Sequence, residues 1–301
     1  MTEDDLPRRL PGWFKQPIPR VGETAGVEKL LRELGLHTVC DGARCPNRGF
    51  CYTHGTATFM ILGDYCTRNC TFCNVSQGKP LPVESDEPGR VTEAIRRLGL
   101  NYVVITSVTR DDLPDGGAAH FAATIESVHI NLPDVRVEVL VPDFRGSNQA
   151  VETVMAARPE VFAHNLETVP RLYNEVRPQA NYLRSLEVLR AAKKNNASAV
   201  TKSALMLGLG ETREEVVAVM NDIREAGCDL FTLGQYLAMR TRHPVERYLT
   251  PEEFTEYEQL ALNMGFSAVA SAPLVRSSFK AAELFDRALK KRHQTGEYSI
   301  I

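Results

Sequence analysis

The sequence lacks any run approaching the ~20 apolar residues that a membrane-spanning helix requires, so no membrane association is expected. It also lacks an excess of charge of either sign: 35 basic against 38 acidic side chains leave a net charge of -3. A general nucleic-acid binder needs surplus Lys and Arg to displace counterions, and none is expected here. The opening MTEDDLPRRLPGW is acidic and polar where an export signal is basic and then apolar, which points to a cytoplasmic location. No Gly/Ser linker, low-complexity tract or internal repeat interrupts the 301 residues. What the chain does have is 43% apolar residues, enough for a sizeable core, and an uneven distribution of cysteine.

Of seven cysteines, six crowd between Cys40 and Cys73 while Cys228 stands alone. A disulfide framework suits a short exported domain with an even cysteine count, and this chain is neither short nor even. Metal is the better reading. The six form two triplets, Cys40-x4-Cys45-x5-Cys51 and Cys66-x3-Cys70-x2-Cys73. Zinc sites usually present pairs and close a tetrahedron, so two zinc knuckles would need His37 and His54 as extra ligands. Iron–sulfur clusters also take thiolates, and a triplet leaves one iron for a different ligand. Cys228 suits a small buried apolar side chain.

The remaining chain alternates. β-rich runs recur at 56–62, 102–108, 135–141, 161–166, 200–207, 230–233 and 267–270, separated by segments of helical period at 118–128, 148–157, 185–194, 214–226 and 251–263. That order predicts a mainly parallel sheet, either doubly wound or a complete or partial barrel. Thr212 with Glu215 and Thr250 with Glu253 are capping boxes, and Pro251 suits a first helical position. The second triplet follows the first of these strands, on the face where parallel barrels bind ligands. Phe72 beside Cys73 is placed to shield a cluster from water or simply to pack.

Cys-x3-Cys-x2-Cys with an aromatic before its last cysteine resembles the signature of the radical S-adenosylmethionine superfamily. CDGARCPNRGFC followed by TATFMILGDYCTRNCTFCNV resembles the lipoyl synthase family within it. VVITSVTRDDLPDGGAAHF, VEVLVPDFRG, FAHNLETVPRLYNEVRP, KSALMLGLGET, TLGQYL, HPVERYLTPEEF and VRSSFKA are similar to stretches of that family in the same order, covering roughly residues 26–285. Departures stand at Asp41-Gly42, Thr109, Ala238-Met239-Arg240 and Phe279, and none removes a cysteine.

The resemblance implies a partial (β/α)6-type TIM barrel over 56–272. Residues 1–55 would be an N-terminal extension carrying the first triplet, and 273–301 a C-terminal extension carrying Arg276-Ser277-Ser278. It implies insertion of two sulfur atoms at carbons 6 and 8 of an octanoyl group on a lysine of a lipoyl-carrier protein, either a 2-oxoacid dehydrogenase E2 lipoyl domain or a glycine cleavage H protein. Cys66, Cys70 and Cys73 would hold a 4Fe–4S cluster that binds and cleaves S-adenosylmethionine. Cys40, Cys45 and Cys51 would hold an auxiliary 4Fe–4S cluster consumed as sulfur donor, with Ser278 as fourth ligand and Ser277 its runner-up. Either serine could instead cap a helix beginning near Phe279. An electron donor such as flavodoxin or ferredoxin and an iron–sulfur carrier protein are implied partners.

In such a barrel Asn165, Glu167, Arg177 and Lys202 lie at or just beyond strand ends and are candidate cosubstrate contacts, though each equally suits a loop bond or salt bridge. Gly208-Leu209-Gly210-Glu211 would allow close approach of adenine. Arg110-Asp111-Asp112 suits a cosubstrate or carrier contact, or a helix cap. His37, His54, His120 and His164 suit structural roles.

Overall fold

In a computed structural model, residues 10–238 and 243–295 are described, the last three by backbone alone. Expectations falling on 1–9, 239–242 and 296–301, the departures at Met239 and Arg240 among them, lie outside the described residues.

Among the described residues the principal sheet has eight strands in chain order: β1 (His37–Thr38), β2 (Thr58–Ile61), β3 (Tyr102–Ser107), β4 (Arg136–Leu140), β5 (Val161–Ala163), β6 (Val200–Leu207), β7 (Leu230–Gln235) and β8 (Ala268–Ser271). From β2 to β8 every pairing is parallel. Only β1 runs antiparallel, with His37 opposite Met60, so the N-terminal extension is built into the sheet edge. The two edges do not meet, which makes the architecture a partial barrel with β8 as a seventh parallel strand.

Alternation along the strands sorts their side chains into two faces. Phe59, Ile61, Ile105, Val137, Val139 and Phe162 pack outward beneath helices such as Glu87–Leu98, Ala118–Asn131 and Asn148–Ala156. Leu205, Leu207, Phe231, Leu233 and Val269 do the same beneath Arg213–Glu225 and Pro251–Asn263. Both of those later helices start in complete capping boxes, at Thr212/Glu215 and Thr250/Glu253, with Pro251 in the first turn. Each large apolar side chain so buried contributes roughly 1.5–3 kcal/mol, which makes these two layers the bulk of the fold's stability.

The inner face is divided by depth. At the N-terminal ends of the strands, Tyr102, Val104, Val161, Val200, Leu230 and Ala268 pack against Ala281, Leu284, Phe285 and Ala288 of the last helix, Ala281–Thr295. Arg136 pins that helix, bonding Asp286 at 2.7 Å while its guanidinium lies 5.4 Å from the Phe285 ring centre. The C-terminal ends of the strands are left to form a cavity. The helix starts at Ala281, later than the expected position near Phe279, because the chain turns through Lys280 at φ 52°.

Lys202 belongs to the lower level, which corrects its assignment as a cosubstrate contact. Its ammonium lies 2.7 Å from Glu138 with both side chains fully buried, and the Tyr102 hydroxyl donates to the same carboxylate at 2.7 Å. Lys202 does not line the cavity. Period-two alternation places a residue inside a barrel but not at a given depth. Removing one partner of such a pair strands the other charge. Lys202→Met should therefore cost about 3–5 kcal/mol in urea unfolding, and Lys202→Met with Glu138→Gln should recover much of that loss.

Candidate functional site

All six clustered cysteines line one cavity of about 730 Å³ on the inner face at the C-terminal strand ends. None of the seven cysteines is in a disulfide. Cys40 sits in the helical turn Val39–Gly42 and Cys51 in the helix Arg48–Thr53. Asp41 ties these two turns together: its carboxylate accepts from Thr38 at 2.9 Å, from Tyr52 at 2.5 Å and from Arg48. The departure at Asp41 thus falls on a residue that frames the first triplet.

The second triplet is held by its own intervening residues. Arg68, 5% exposed, bonds both oxygens of Asp111 at 2.7 and 2.9 Å and Asp143 at 2.6 Å. Thr67 donates twice to the Thr109 carbonyl, by N at 3.0 Å and by Oγ1 at 2.9 Å. Thr71 N donates to the Val176 carbonyl at 3.0 Å and Asn69 N to Gln179 at 2.8 Å. A polar loop fixed to segments after three other strands presents its thiols in one arrangement. The departure at Thr109 is neutral here because its backbone carbonyl makes the contact.

The C-terminal segment reaches the same cavity. Asn47, between Cys45 and Cys51, donates to the Leu274 carbonyl at 2.7 Å, and Gln235 N donates to the Pro273 carbonyl at 3.2 Å. Gly234 is required beneath it, since a Cβ there would lie 2.0 Å from the Val275 carbonyl oxygen. Arg276, Ser277, Ser278 and Phe279 then line the cavity beside Phe50, whose ring stacks on His54 and lies 5.8 Å from Phe279.

Electrostatics separates the thiols into two sets. Burial pushes Cys40 up to about 11, with the neighbouring Cys45 charge adding to it, and pushes Cys51 up to about 12, with Cys40 and Cys45 adding. Burial likewise raises Cys73 to about 12, and Cys70 and Cys66 add to it. Each triplet is thus mutually close. Among the described residues no three His, Cys, Asp or Glu converge tightly enough to hold a single ion. A multi-iron cluster suits three thiols that are near neighbours without sharing one point, because each binds a different corner. The donor set therefore fits two clusters, and binding metal would release the thiol protons.

Asn165, Glu167 and Arg177 also line this cavity. Asn165 Nδ2 donates to Glu167 at 3.0 Å, and Arg177 Nη1 donates to the carbonyls of Asn165 and Leu166, each at 3.0 Å. Arg177 Nε is buried without a partner, as are the hydroxyls of Ser107 and Thr232 on the same wall. Orphaned donors are costly to bury, and these fit a polar ligand such as S-adenosylmethionine. Burial raises the Glu167 carboxyl, with Arg177 and Asn165 opposing.

The remaining sequence candidates are held within the fold, His164 on the cavity wall and the others away from it. Glu211 accepts from Gly208 N at 2.6 Å and Leu209 N at 2.9 Å, closing that loop on itself away from the cavity wall. Arg110 pairs with Asp112 at 2.9 Å and donates to the Leu62 carbonyl at 3.2 Å. His164 is neutral and structural: burial and then Arg177 hold it down at about 4, and its ring bonds the Val141 carbonyl and Ser185. His120 meets Glu87, and Cys228 is fully buried.

Comparison with known proteins gives this constellation its family. The model of the Radical SAM superfamily matches residues 60–223, and that of the N-terminal domain of lipoyl synthase of the Radical SAM family matches residues 2–45. A curated lipoyl synthase of Rubrobacter xylanophilus is 54% identical over 274 residues, 91% of this chain and 85% of the relative. One of Thermus thermophilus is 53% identical over 291 residues, 96% of this chain and 90% of the relative. The chain belongs to the lipoyl synthase family.

Solved structures support the fold alone. Methylornithine synthase aligns with a TM-score of 0.52 at 14% identity, covering 85% of this chain and 86% of that one. A maturase of the FeFe-hydrogenase aligns with 0.57 at 13%, covering 76% and 54%.

In this lipoyl synthase family member, the sequence reading missed the Arg68–Asp111–Asp143 clamp and Asn47, and gave Arg276 no role beyond its place beside the two serines. The signal available for Arg68 was its place inside the triplet, where a cation next to ligating thiolates calls for acidic partners. Burial alone would raise the Asp143 carboxyl, but the Arg68 hydrogen bonds and charge outweigh it and hold it at about 2. A depressed folded pKa stabilises above the unfolded value near 3.9 and is lost as pH falls toward 2. Asp143→Asn should therefore destabilise by on the order of 2 kcal/mol at neutral pH, with the gap to the parent shrinking between about pH 4 and 2 in denaturant titrations.

Proposed function

We propose that this chain is a sulfurtransferase that inserts two sulfur atoms, at carbons 6 and 8, into an octanoyl group carried on a lysine of a lipoyl-carrier protein. The observation that carries the reading is the meeting of both cysteine triplets on the wall of one cavity in a chain of the lipoyl synthase family. When bound, two 4Fe–4S clusters and S-adenosylmethionine supply the one-electron reduction, the hydrogen-abstracting radical and the sulfur that an unactivated C–H bond demands, which no side-chain base can provide.

The chain's own residues bind, orient and shield. Cys66, Cys70 and Cys73 hold the reducing cluster, with Phe72 on the same wall limiting water. Cys40, Cys45 and Cys51 hold the auxiliary cluster, with Ser278 as fourth ligand. No hydrogen bond of the Ser278 side chain occurs among the described residues, and it precedes the helix at Ala281 by too much to cap it. Arg177 Nε is free to donate to the cosubstrate carboxylate, and Glu167 accepts from its amino group or ribose. Residues 1–55 and 273–301 act as the auxiliary-site segments around the 56–272 barrel. Flavodoxin or ferredoxin is the class of electron donor, and an iron–sulfur carrier protein restores the auxiliary site.

The test is to compare two cysteine sets with an octanoylated carrier peptide. Alanine at Cys66, Cys70 or Cys73 should abolish cosubstrate cleavage. Alanine at Cys40, Cys45 or Cys51 should leave deoxyadenosine formation while abolishing sulfur insertion. Equal loss of cleavage in both sets would refute the division, and zinc without visible colour after anaerobic reconstitution would refute cluster chemistry.

A further inference from the structure

The two neighbouring serines of the C-terminal segment are in different situations, and the difference assigns a role to one of them. Ser277 Oγ donates to Asn165 Oδ1 at 3.1 Å. The direction of that bond is fixed by its continuation: the other end of the Asn165 amide donates to Glu167 Oε1 at 3.0 Å, and a carboxylate only accepts. Asn165 therefore offers Ser277 an acceptor, and Ser277 must keep its proton to use it. A serine that ligated iron as an alkoxide would surrender that proton and the bond with it. Ser278 carries no such commitment.

The surrounding contacts say what the Ser277 bond accomplishes. The segment before it is held through its backbone, by Asn47 on the Leu274 carbonyl at 2.7 Å and by the approach of Val275 to Gly234. After it the chain turns through Lys280 at φ 52° into the last helix. Between those fixed points, the Ser277 hydroxyl is the side-chain contact that joins the serine segment to the strand-end loop of Asn165 and Glu167. Arg276 lies half-buried in the same gap, where the charges of Cys45 and Glu167 both act on it, so the gap spans from the first triplet to the cosubstrate side.

We propose that Ser277 is a positioning residue: through Asn165 it orients Ser278, the second serine of the turn that runs from Arg276 to Phe279, toward the first triplet, and it ties that ligand to the loop carrying Glu167. This rests on the ligand reading of Ser278 given above. Groups that orient a metal ligand without touching the metal typically change affinity or activity ten- to a hundredfold when removed, and that is the effect expected here.

The experiment compares Ser277→Ala, Ser277→Thr, Ser277→Val and Ser278→Ala in the reconstituted full-length enzyme, read by Mössbauer spectroscopy of iron-57 and by melting temperature. Threonine keeps the hydroxyl, while valine matches threonine in shape without it, so that pair answers the question even if alanine fails to fold. Ser277→Ala and Ser277→Val should perturb the distinct oxygen-ligated iron in the same way as Ser278→Ala and lower lipoyl product per turnover by about ten- to a hundredfold. Ser277→Thr should restore both. A normal iron spectrum in Ser277→Val alongside an altered one in Ser278→Ala overturns the positioning role alone. So does a spectrum that threonine fails to restore. An unchanged spectrum in Ser278→Ala overturns the ligand reading, and the positioning role with it.

Discussion

A parallel sheet that does not close leaves part of its inner face without an opposing wall, and everything at the functional end depends on how that gap is filled. Tyr102, Val104, Val161, Val200, Leu230 and Ala268 form an apolar floor at the N-terminal strand ends, and the last helix covers it with Ala281, Leu284, Phe285 and Ala288. Leaving these side chains wet would forfeit roughly 25 cal/mol for each Å² exposed. The helix is thus bound to the floor, and the residues just before it must climb from there to the cavity. Arg276 to Phe279 arrive beside the cysteines because the floor needs the helix.

The same division by depth explains the distribution of charge. Below, a lysine and a glutamate pair at 2.7 Å with no solvent and no ligand, which is a structural use of inward-facing polarity. Above, polar atoms are left without partners, at Arg177 Nε and at the hydroxyls of Ser107 and Thr232. Buried donors left bare on a cavity wall are open to a ligand, whereas the charged pair at the floor is matched internally.

Much of this was legible in the sequence because it rests on local chemistry. Strands β2 to β8 lie on the apolar runs that alternation marked out, and both capping boxes form as spaced. The first helix, Ala25–Glu33, and the helix Glu87–Leu98 were not marked, and the second is rich in charge: EPGRVTEAIRRL gives little sign that Val91, Ala94 and Ile95 are fully buried. The cysteine triplets announced themselves by spacing. Lys202 misled because a lysine in a strand of a ligand-binding barrel has the same pattern at the floor as at the mouth. The pairing of Arg68 with Asp111 and Asp143 was invisible because they come from segments far apart in the chain, and no local rule pairs them.

The clamp also bears on how two chemically similar triplets stay distinct. Arg68 lies between Cys66 and Cys70, and its charge, with that of Arg177, opposes the rise that burial imposes on Cys70. Arg276 does the same for Cys45 in the first triplet. Each thiol set therefore has its own neighbouring cation, but the two cations are held differently. Arg68 is locked by two carboxylates, so its charge is largely neutralised and its position rigid. Arg276 bonds the carbonyl of its neighbour Val275 at 2.8 Å and has no ion pair among the described residues, although the charges of Cys45 and Glu167 act on it. A rigid, neutralised frame holds the second triplet in one arrangement and adds little net charge to it. Arg276, on a turn and without such a lock, favours the anionic form of Cys45 in the first triplet.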